Sequence, residues 1–346
     1  MRRTIVILLL LLGLVPRAEA ALRSPWDTAV PAVTEVAYAC PKLASLPRDI
    51  ASDDYYSDPR HSVIDPARYA AYQAAQAAFQ QVMTATAKAA DSYRQTGSGP
   101  AARCALGLLE AQAGAAAMTG RMSSNQSSYL QGWTIGALAI GYLKVRGIAT
   151  PAQAAAISAW LMRVAHDTQS YMDSRRLGPR NTDARNNHYY WAGLAVMAAG
   201  VAGDSQAMFD WGLGTYRDGI GRITPEGTLP LEMARGGKAL HYHLFAATPL
   251  VAMAEFGAAN GIDLYAEDNG ALHLLMARCL SGLQDNSFFA AQAHAPQDAP
   301  EPGRTLAAQL NWAWPYARRF PDSGYAKIDQ KAMRTGSLYL GGLPSG

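Results

Sequence analysis

RNNHYYWAGLAVMAA, residues 185–199, is the stretch around which the rest of the chain is organised. Its second half has no polar stripe, which is typical of a helix buried on all sides. Asn186, Asn187 and His188 place an amide pair and an imidazole at the amino-terminal mouth of that helix. The stretch therefore predicts a central buried helix with a polar end.

A second polar stretch, RGGKALHYH at residues 235–243, begins 47 residues after His188. It also combines a cationic side chain, Arg235, with aromatic and imidazole groups on a predicted helix. We expect the two stretches to meet in space and to form one active site.

The chain of 346 residues is rich in Ala and poor in β-branched runs, which favours helix throughout. Residues 221–235 break the pattern, because Pro225, Gly227 and Pro230 exclude a long helix, so an extended loop or short strands are expected there. The glycine-rich carboxy-terminus is expected to be loosely ordered. Helices are predicted over about 65–95, 101–118, 127–145, 150–173, 187–201, 204–220, 239–260, 264–283 and 303–319.

This all-α pattern predicts one domain over residues 21–346. Most connections are short and contain Gly or Pro, so consecutive helices should be antiparallel neighbours. An α/α toroid (an incomplete α/α barrel), an α-solenoid and a large bundle all satisfy that pattern, and the lack of a fixed-period repeat disfavours the solenoid. A toroid places helix ends and loops around a central cleft, where the two polar stretches are needed. A lid-like loop is expected at about 50–64.

The first twenty residues have the parts of a secretory signal peptide. Arg2 and Arg3 precede an apolar run from Ile5 to Val15, and Ala18-Glu19-Ala20 is a small-residue cleavage site. About twenty apolar residues are needed to span a membrane, so this run is too short for an anchor. We predict cleavage after Ala20, export to the periplasm or beyond it, and no membrane span in the mature chain.

Bulk charge gives no reason to expect a nucleic-acid partner. Removing residues 1–20 leaves 27 basic and 26 acidic side chains, a net charge of +1. An anionic ligand would have to be held by local Arg and Lys side chains. We expect a monomer.

Three cysteines remain in the mature chain, and export permits a disulfide. Sequence alone cannot choose the pair. Cys40 lies in a proline-flanked loop, whereas Cys279 lies in an apolar helical pattern typical of a buried thiol. We favour a bond between Cys40 and Cys104.

Asn187, His188, Arg235 and Tyr242 together suit proton abstraction beside a carboxylate. Asn187 offers N–H donors, Arg235 a charged fork that matches a carboxylate, His188 a group that titrates near neutrality and Tyr242 a transferable proton. In a uronic acid polymer, removing the proton at C5 builds negative charge on the adjacent carboxylate, which such donors stabilise. Singly, these residues could be a helix cap, a surface histidine, a turn and a core tyrosine, so the hypothesis depends on their combination.

The two stretches resemble polysaccharide lyase family 5, the alginate lyases. The resemblance is carried by Asn186-Asn187-His188-x-Tyr190-Trp191 and by Arg235-Gly-x-x-Ala-Leu-His-Tyr242-His, and it extends over residues 40–264. It implies an α/α toroid in the bacterial periplasm and metal-independent β-elimination of 1,4-linked uronates, with no cofactor.

The resemblance also implies roles for individual residues. Asn187 and Arg235, helped by His188, would neutralise the carboxylate, and Tyr242 would donate the proton to the leaving oxygen. In mannuronate the C5 proton and the leaving group share one face, so Tyr242 could serve as base and then acid. In guluronate or glucuronate they lie on opposite faces, which makes His188 the more suitable base. A Cys40–Cys104 disulfide is implied as well.

Further substrate contacts are expected from aromatic and polar groups near these motifs. Tyr189 stands where alginate-specific members carry a small residue, so polyglucuronate and other polyuronates stay open as substrates beside polymannuronate-rich alginate. The predicted contacts are Tyr55, Tyr56, Tyr129, Gln131, Trp133, Asn186, Tyr189, Trp191 and His241.

Three other functions fit parts of the sequence. A glycoside hydrolase needs two carboxylates, for which Asp183, Glu226 and Glu232 are available. A metal hydrolase could use His241-x-His243 with His166-Asp167, although this spacing alone is a weak signal. A non-catalytic polysaccharide-binding protein would use the same cleft without the chemistry.

Overall fold

The computed structural model of the protein describes residues 21–298, 309–310, 312–328, 330–334 and 336–344. The predicted signal peptide, residues 1–20, lies outside the described residues. Within them the chain forms helices and isolated bridges and no extended strand, which confirms the all-α prediction. The helices are α1 (Pro66–Thr96), α2 (Gly99–Gly114), α3 (Asn125–Leu143), α4 (Pro151–Arg176), α5 (Asn187–Ala202), α6 (Gln206–Ile220), α7 (Pro230–Met233), α8 (Ala239–Ala259), α9 (Glu267–Gln284), α10 (Ser287–Ala293), α11 (Ala313–Arg319) and α12 (Gln330–Met333).

Side-chain caps determine where several of these helices begin. The Asp65 carboxylate accepts from two backbone N–H groups of α1, and Pro66 occupies the first helical position. Reciprocal capping boxes open α3 at Ser124 and α4 at Thr150. Asn186 caps α5 by accepting from the backbone N–H of His188.

The helices form two layers. In the inner layer α1, α3, α5 and α8 contact one another in chain order, and α3, α5 and α8 are buried over most of their length. Each inner helix packs against the helix that follows it, so α2, α4, α6 and α9 form the outer layer. Antiparallel pairs of helices arranged in two layers are the architecture expected of an α/α toroid.

Helix α5 lies at the centre of this arrangement, in contact with α3, α4, α6 and α8. Its close approach to α6 depends on Gly193, where an added Cβ would lie 2.4 Å from the Thr215 Cγ2 atom. The prediction of a central buried helix is confirmed.

The amino-terminal ends of the inner helices carry the candidate site. Tyr72 lies in the second turn of α1, Tyr129 near the start of α3, His188 in the first turn of α5 and Tyr242 in the first turn of α8. Helix amino-termini carry partial positive charge, so this end of the toroid is suited to an anionic polymer.

Three sequence-based expectations need correction. Residues 221–235 contain no strand; they make turns and then the short helix α7, because Pro230 suits a first helical position. Helix α2 ends at Gly114 rather than near residue 118, because Ala116 and Met118 adopt left-handed backbone conformations. Of the helix predicted over 303–319, residues 309–310 are helical and α11 covers Ala313–Arg319, whereas 303–308 lie outside the described residues.

The carboxy-terminal segment, residues 336–344, is tied down rather than loose. The buried Lys144 ammonium donates to the Gly341 and Leu343 carbonyls at 2.7 and 2.9 Å and to the Asp91 carboxylate at 2.6 Å. The Asp91 carboxylate also accepts from the Leu343 backbone N–H at 2.9 Å. A single buried lysine at the end of α3 therefore holds a segment whose composition suggested disorder.

The predicted disulfide between Cys40 and Cys104 is present, and Cys279 is a buried free thiol, as expected. Among the described residues, no helix is long and apolar enough to cross a membrane.

Candidate active site

Arg235 and Tyr242 are stacked on each other. The Arg235 guanidinium carbon lies 3.5 Å from the centroid of the Tyr242 ring. Two of its nitrogens are already engaged, because Nε donates to the Arg60 carbonyl at 2.9 Å and Nη2 to the His61 carbonyl at 2.6 Å. The third nitrogen, Nη1, keeps its N–H groups for a ligand.

The loop predicted to be lid-like, at about 50–64, lies over this pair. The Tyr56 hydroxyl is 2.5 Å from the Tyr242 hydroxyl, and the Tyr55 hydroxyl is 3.3 Å from that of Tyr56. Burial, together with the nearby Tyr242, raises the pKa of both Tyr55 and Tyr56, so each stays protonated and can act as a hydrogen-bond donor. The loop thus supplies the catalytic tyrosine candidate with a protic neighbour.

His188 faces the same space from α5. Its ring stacks on Tyr129 at 3.9 Å between centroids and lies 5.8 Å from Trp133. The Nδ1 atom is buried and has no hydrogen-bond partner. Burial, reinforced by the positive charge of Arg235, lowers the pKa of His188 to about 3, so the imidazole is neutral at physiological pH. A neutral imidazole offers a lone pair or an N–H group, not a positive charge.

Asn187 is held by Glu232, and neither side chain is exposed. The carboxylate accepts from the Asn187 backbone N–H at 2.7 Å and from the Asn187 Nδ2 at 2.9 Å. The Asn187 Oδ1 atom is buried without a partner. Burial raises the pKa of Glu232 to about 7, although Asn187 and the charge of Arg235 oppose the shift.

Asp183 accepts a hydrogen bond that fixes the position of Tyr129. The Tyr129 hydroxyl donates to the Asp183 carboxylate at 2.9 Å, and Arg175 pairs with that carboxylate through two nitrogens, the closer at 2.8 Å. Although burial opposes it, the bonds from Arg175 and Tyr129 lower the pKa of Asp183. Asp183 therefore orients the ring on which His188 stacks.

Aromatic rings form the wall beside these groups. Trp191 lies 5.0 Å from Phe245, and Tyr339 lies 5.4 Å from Trp133 and 5.8 Å from Trp191, measured between ring centroids. Such faces can stack on sugar rings, and the Trp191 indole N–H is buried without a partner. Tyr339 reaches this wall from the segment that Lys144 holds.

His241 and His243 are differently placed, which weakens the metal-hydrolase reading. His241 lies beside Tyr242 and pairs through Nδ1 with Gln309. His243 faces away: its Nε2 accepts from the Leu229 backbone N–H at 2.9 Å and its Nδ1 lies 2.7 Å from the Ala239 carbonyl. In the described part of the chain, no group of three or more His, Cys, Asp or Glu side chains is placed to hold a metal ion.

Two predicted substrate contacts point elsewhere in this structure. Gln131 is buried and donates to the Met118 carbonyl at 2.8 Å. The Tyr189 ring packs under the Arg176 guanidinium at 4.6 Å and against Trp211. Asn186 acts as the cap of α5, and a substrate contact by any of the three stays a prediction.

The three carboxylates that a glycoside hydrolase could use are differently placed. Asp183 and Glu232 are held as described above, and Glu226 is exposed, with its backbone carbonyl accepting from Arg278.

Sequence reasoning missed Tyr339 and Phe245 as wall residues and Glu232 as the partner of Asn187. Phe245 lies four residues after His241, a helical spacing that could have indicated a shared face. No local pattern marked Tyr339.

A family model described as alginate lyase matches residues 49–289. A polysaccharide lyase from Stenotrophomonas maltophilia is 39% identical over 290 residues, which cover 83% of each chain. An alginate lyase from Cobetia marina is 31% identical over 268 residues, covering 74% of this chain and 69% of the relative.

Solved structures of alginate lyases have the same fold as this chain. Alginate lyase A1-III from a Sphingomonas species superposes with a TM-score of 0.71 at 25% identity, covering 94% of this chain and 90% of the other. A variant of A1-III with one histidine replaced by alanine, complexed with a tetrasaccharide, gives 0.72 at 26% identity, covering 94% and 86%. The α/α toroid and the resemblance to polysaccharide lyase family 5 are thereby confirmed. The chain belongs to the alginate lyase family and is a polysaccharide lyase.

Proposed function

We propose that the alginate lyase activity of this chain prefers polymannuronate, with Tyr242 acting as base and then as acid. The observation that carries the proposal is the setting of the Tyr242 hydroxyl, 2.5 Å from the Tyr56 hydroxyl on a ring stacked by Arg235. As base, Tyr242 must act as the phenolate, and the Arg235 guanidinium and a hydrogen bond from the Tyr56 hydroxyl would both stabilise that anion.

Arg235 and Asn187 are the groups proposed to bind the carboxylate at C5. Arg235 keeps the N–H groups of Nη1, and Asn187 keeps one N–H of Nδ2 beyond the one that Glu232 receives. Donors already in position need little reorganisation as charge moves onto the carboxylate, which is usually the largest catalytic contribution.

The elimination then follows without water. The base takes the C5 proton, the C5–H electron pair becomes the C4–C5 double bond, and the C4–O bond breaks. A proton passes to the leaving oxygen, which stays on C1 of the released fragment as its new reducing end. The other fragment carries a 4,5-unsaturated uronate at its new non-reducing end. Tyr242 can perform both proton transfers only when the C5 proton and the leaving oxygen share a face, as in mannuronate.

His188 is the alternative base, and a mechanism that uses it would suit polymers other than polymannuronate. Its neutral imidazole can accept a proton, and it approaches from α5 whereas Tyr242 approaches from α8. A polyglucuronate or polyguluronate substrate, with the two groups on opposite faces, would call on His188 as base and Tyr242 as acid.

The solved relatives support roles for these residue types. Variants of A1-III with one histidine changed to alanine or one tyrosine changed to phenylalanine were each solved with a tetrasaccharide. His188 and Tyr242 are the corresponding residue types in the cleft of this chain.

The test is a substrate panel read by the ultraviolet absorbance of the unsaturated product. Polymannuronate should be cleaved fastest among polymannuronate, polyguluronate, polyglucuronate and hyaluronate. Tyr242→Phe should lower kcat on polymannuronate by at least about 100-fold while leaving substrate binding, followed by tryptophan fluorescence, nearly unchanged. Faster cleavage of another polymer, or a near wild-type rate for Tyr242→Phe, would contradict the proposal.

We also propose export to the periplasm as a monomer. The signal-like order of residues 1–20 and the Cys40–Cys104 disulfide support an oxidising compartment. Mass spectrometry of the protein recovered from a periplasmic extract should give a chain that starts at Ala21, and light scattering should give the mass of one chain. A full-length chain retained in the cytoplasm would refute the first point, and a dimer mass the second.

A further inference from the structure

Glu232 is the one fully buried carboxylate described at the site, and it takes no part in the elimination set out above. It lies on the short helix α7, and both of its oxygens are directed to one residue of another helix, Asn187. Desolvating a carboxylate destabilises the fold unless other contacts compensate, so its burial here calls for a functional explanation.

The contact determines how the Asn187 carboxamide is turned. The Nδ2 group must face the carboxylate, because the reversed amide would place Oδ1 against a carboxylate oxygen. Of the two N–H groups on Nδ2, one bonds to Glu232 and the other is left for a ligand. Glu232 thereby determines that an N–H group of Asn187, rather than Oδ1, is directed to a substrate carboxylate.

The contact also joins the two polar stretches of the sequence. The Arg235 backbone N–H donates to the Glu232 carbonyl at 3.1 Å, so Glu232 and Arg235 belong to one turn. Through Asn187, that turn is attached to the start of α5. Glu232 therefore connects Asn187 to the backbone turn that carries Arg235.

The charges around Glu232 are few. Arg235 on its own segment is the cation that faces it, and Tyr190 and the neutral His188 belong to the same end of α5. From α8 the neutral His243 bonds to Leu229, close by in sequence, and α10 carries no ionisable side chain. Burial with so little compensating charge raises the pKa of Glu232 to about 7.

We propose that Glu232 is a positioning residue whose ionised form holds the Asn187 carboxamide in the orientation that donates to the uronate carboxylate. This inference rests on the proposed role of Asn187. Both Glu232 oxygens now accept from Asn187, one from the backbone N–H and one from Nδ2. Protonation turns one of them into a hydroxyl and removes the negative charge, so the two bonds cannot both keep their strength and the hold on the amide weakens. The rate should therefore fall as Glu232 takes up a proton.

The first measurement is kcat against pH from 5 to 9 on polymannuronate. Wild type should show an acid limb with an apparent pKa near 7, as burial of Glu232 produces. Glu232→Gln keeps the size of the side chain and removes the charge. It should lower kcat at pH 8 by about 10- to 100-fold, up to the cost of one lost preorganised donor, and it should remove the acid limb. Glu232→Asp, which keeps a carboxylate, should retain the limb.

A double-mutant cycle separates this inference from the proposed function. If Asn187→Ala retains wild-type kcat, Asn187 does not bind the carboxylate and the proposed function fails there. If Asn187→Ala lowers kcat and Glu232→Gln has no further effect in that background, Glu232 acts through Asn187. An equal loss in both backgrounds overturns the inference. An acid limb that is unchanged in Glu232→Gln also overturns the inference. Glu226→Gln, which changes an exposed carboxylate, is the matched control and should keep the wild-type pH profile.

Discussion

Replacing Lys144 by methionine should release the carboxy-terminal segment and, with it, part of the active-site wall. The side chain is 1% exposed, and its ammonium makes three hydrogen bonds of 2.6–2.9 Å to Asp91, Gly341 and Leu343. Methionine fills a similar volume but leaves the partly buried Asp91 carboxylate without its cation and two carbonyls without their donor. Removing one partner of a buried ion pair costs about 3–5 kcal/mol.

That cost is a large part of the total stability of a domain, which is about 5–15 kcal/mol. The measurement is urea unfolding followed by circular dichroism, with activity on polymannuronate measured in parallel. Arg103→Met is the matched control, because the Arg103–Glu35 pair is exposed and should contribute less than about 1 kcal/mol.

Activity should fall as well, because Tyr339 reaches Trp133 and Trp191 from the segment that Lys144 holds. A Lys144→Met protein as stable as Arg103→Met would refute the account of the buried pair. A destabilised protein with unchanged activity would show that the carboxy-terminal segment does not contribute to the aromatic wall that binds substrate.

Three further outcomes follow from the structure. The double variant Cys40→Ser with Cys104→Ser opens a loop of 64 residues and should lose about 4 kcal/mol of unfolding free energy in urea titrations, on the chain-entropy account. His188, His241 and His243 have pKa values lowered by burial to about 3, 4 and 4, so below pH 6.5 the unfolded chain binds protons that the folded chain does not. The free energy of unfolding should therefore fall as pH drops from about 6.5 to about 4, and a flat stability profile over that range would contradict the neutral histidines. Exhaustive treatment with a chelator should leave the rate on polymannuronate unchanged. A loss of activity that added metal restores would instead support metal-dependent catalysis.

The central helix and the pairing of the two polar stretches could be predicted because they depend on local patterns. The apolar run of residues 192–199 could be satisfied only by burial on all sides, and capping residues such as Asp65 marked where helices begin. The contacts that orient the site could not be predicted in this way. Glu232 bonds to a residue 45 positions away, and Tyr339 is placed by a lysine almost 200 positions before it. Such contacts depend on tertiary geometry that no local spacing encodes.

The choice between a charged and a neutral His188 decides how the carboxylate is neutralised. Holding a proton at pH 7 on a group whose pKa is about 3 costs about 5 kcal/mol, more than one ordinary charge-assisted hydrogen bond returns. On the proposed mechanism His188 then enters the reaction uncharged, and Arg235 is the cation that binds the carboxylate, with Asn187 as a neutral donor beside it. A single fixed cation needs a partner donor in an exact position. We propose that the burial of Glu232 against Asn187 meets that need: the free-energy cost of desolvating one carboxylate is accepted because the carboxylate holds the donor that would stabilise the enolate-like intermediate.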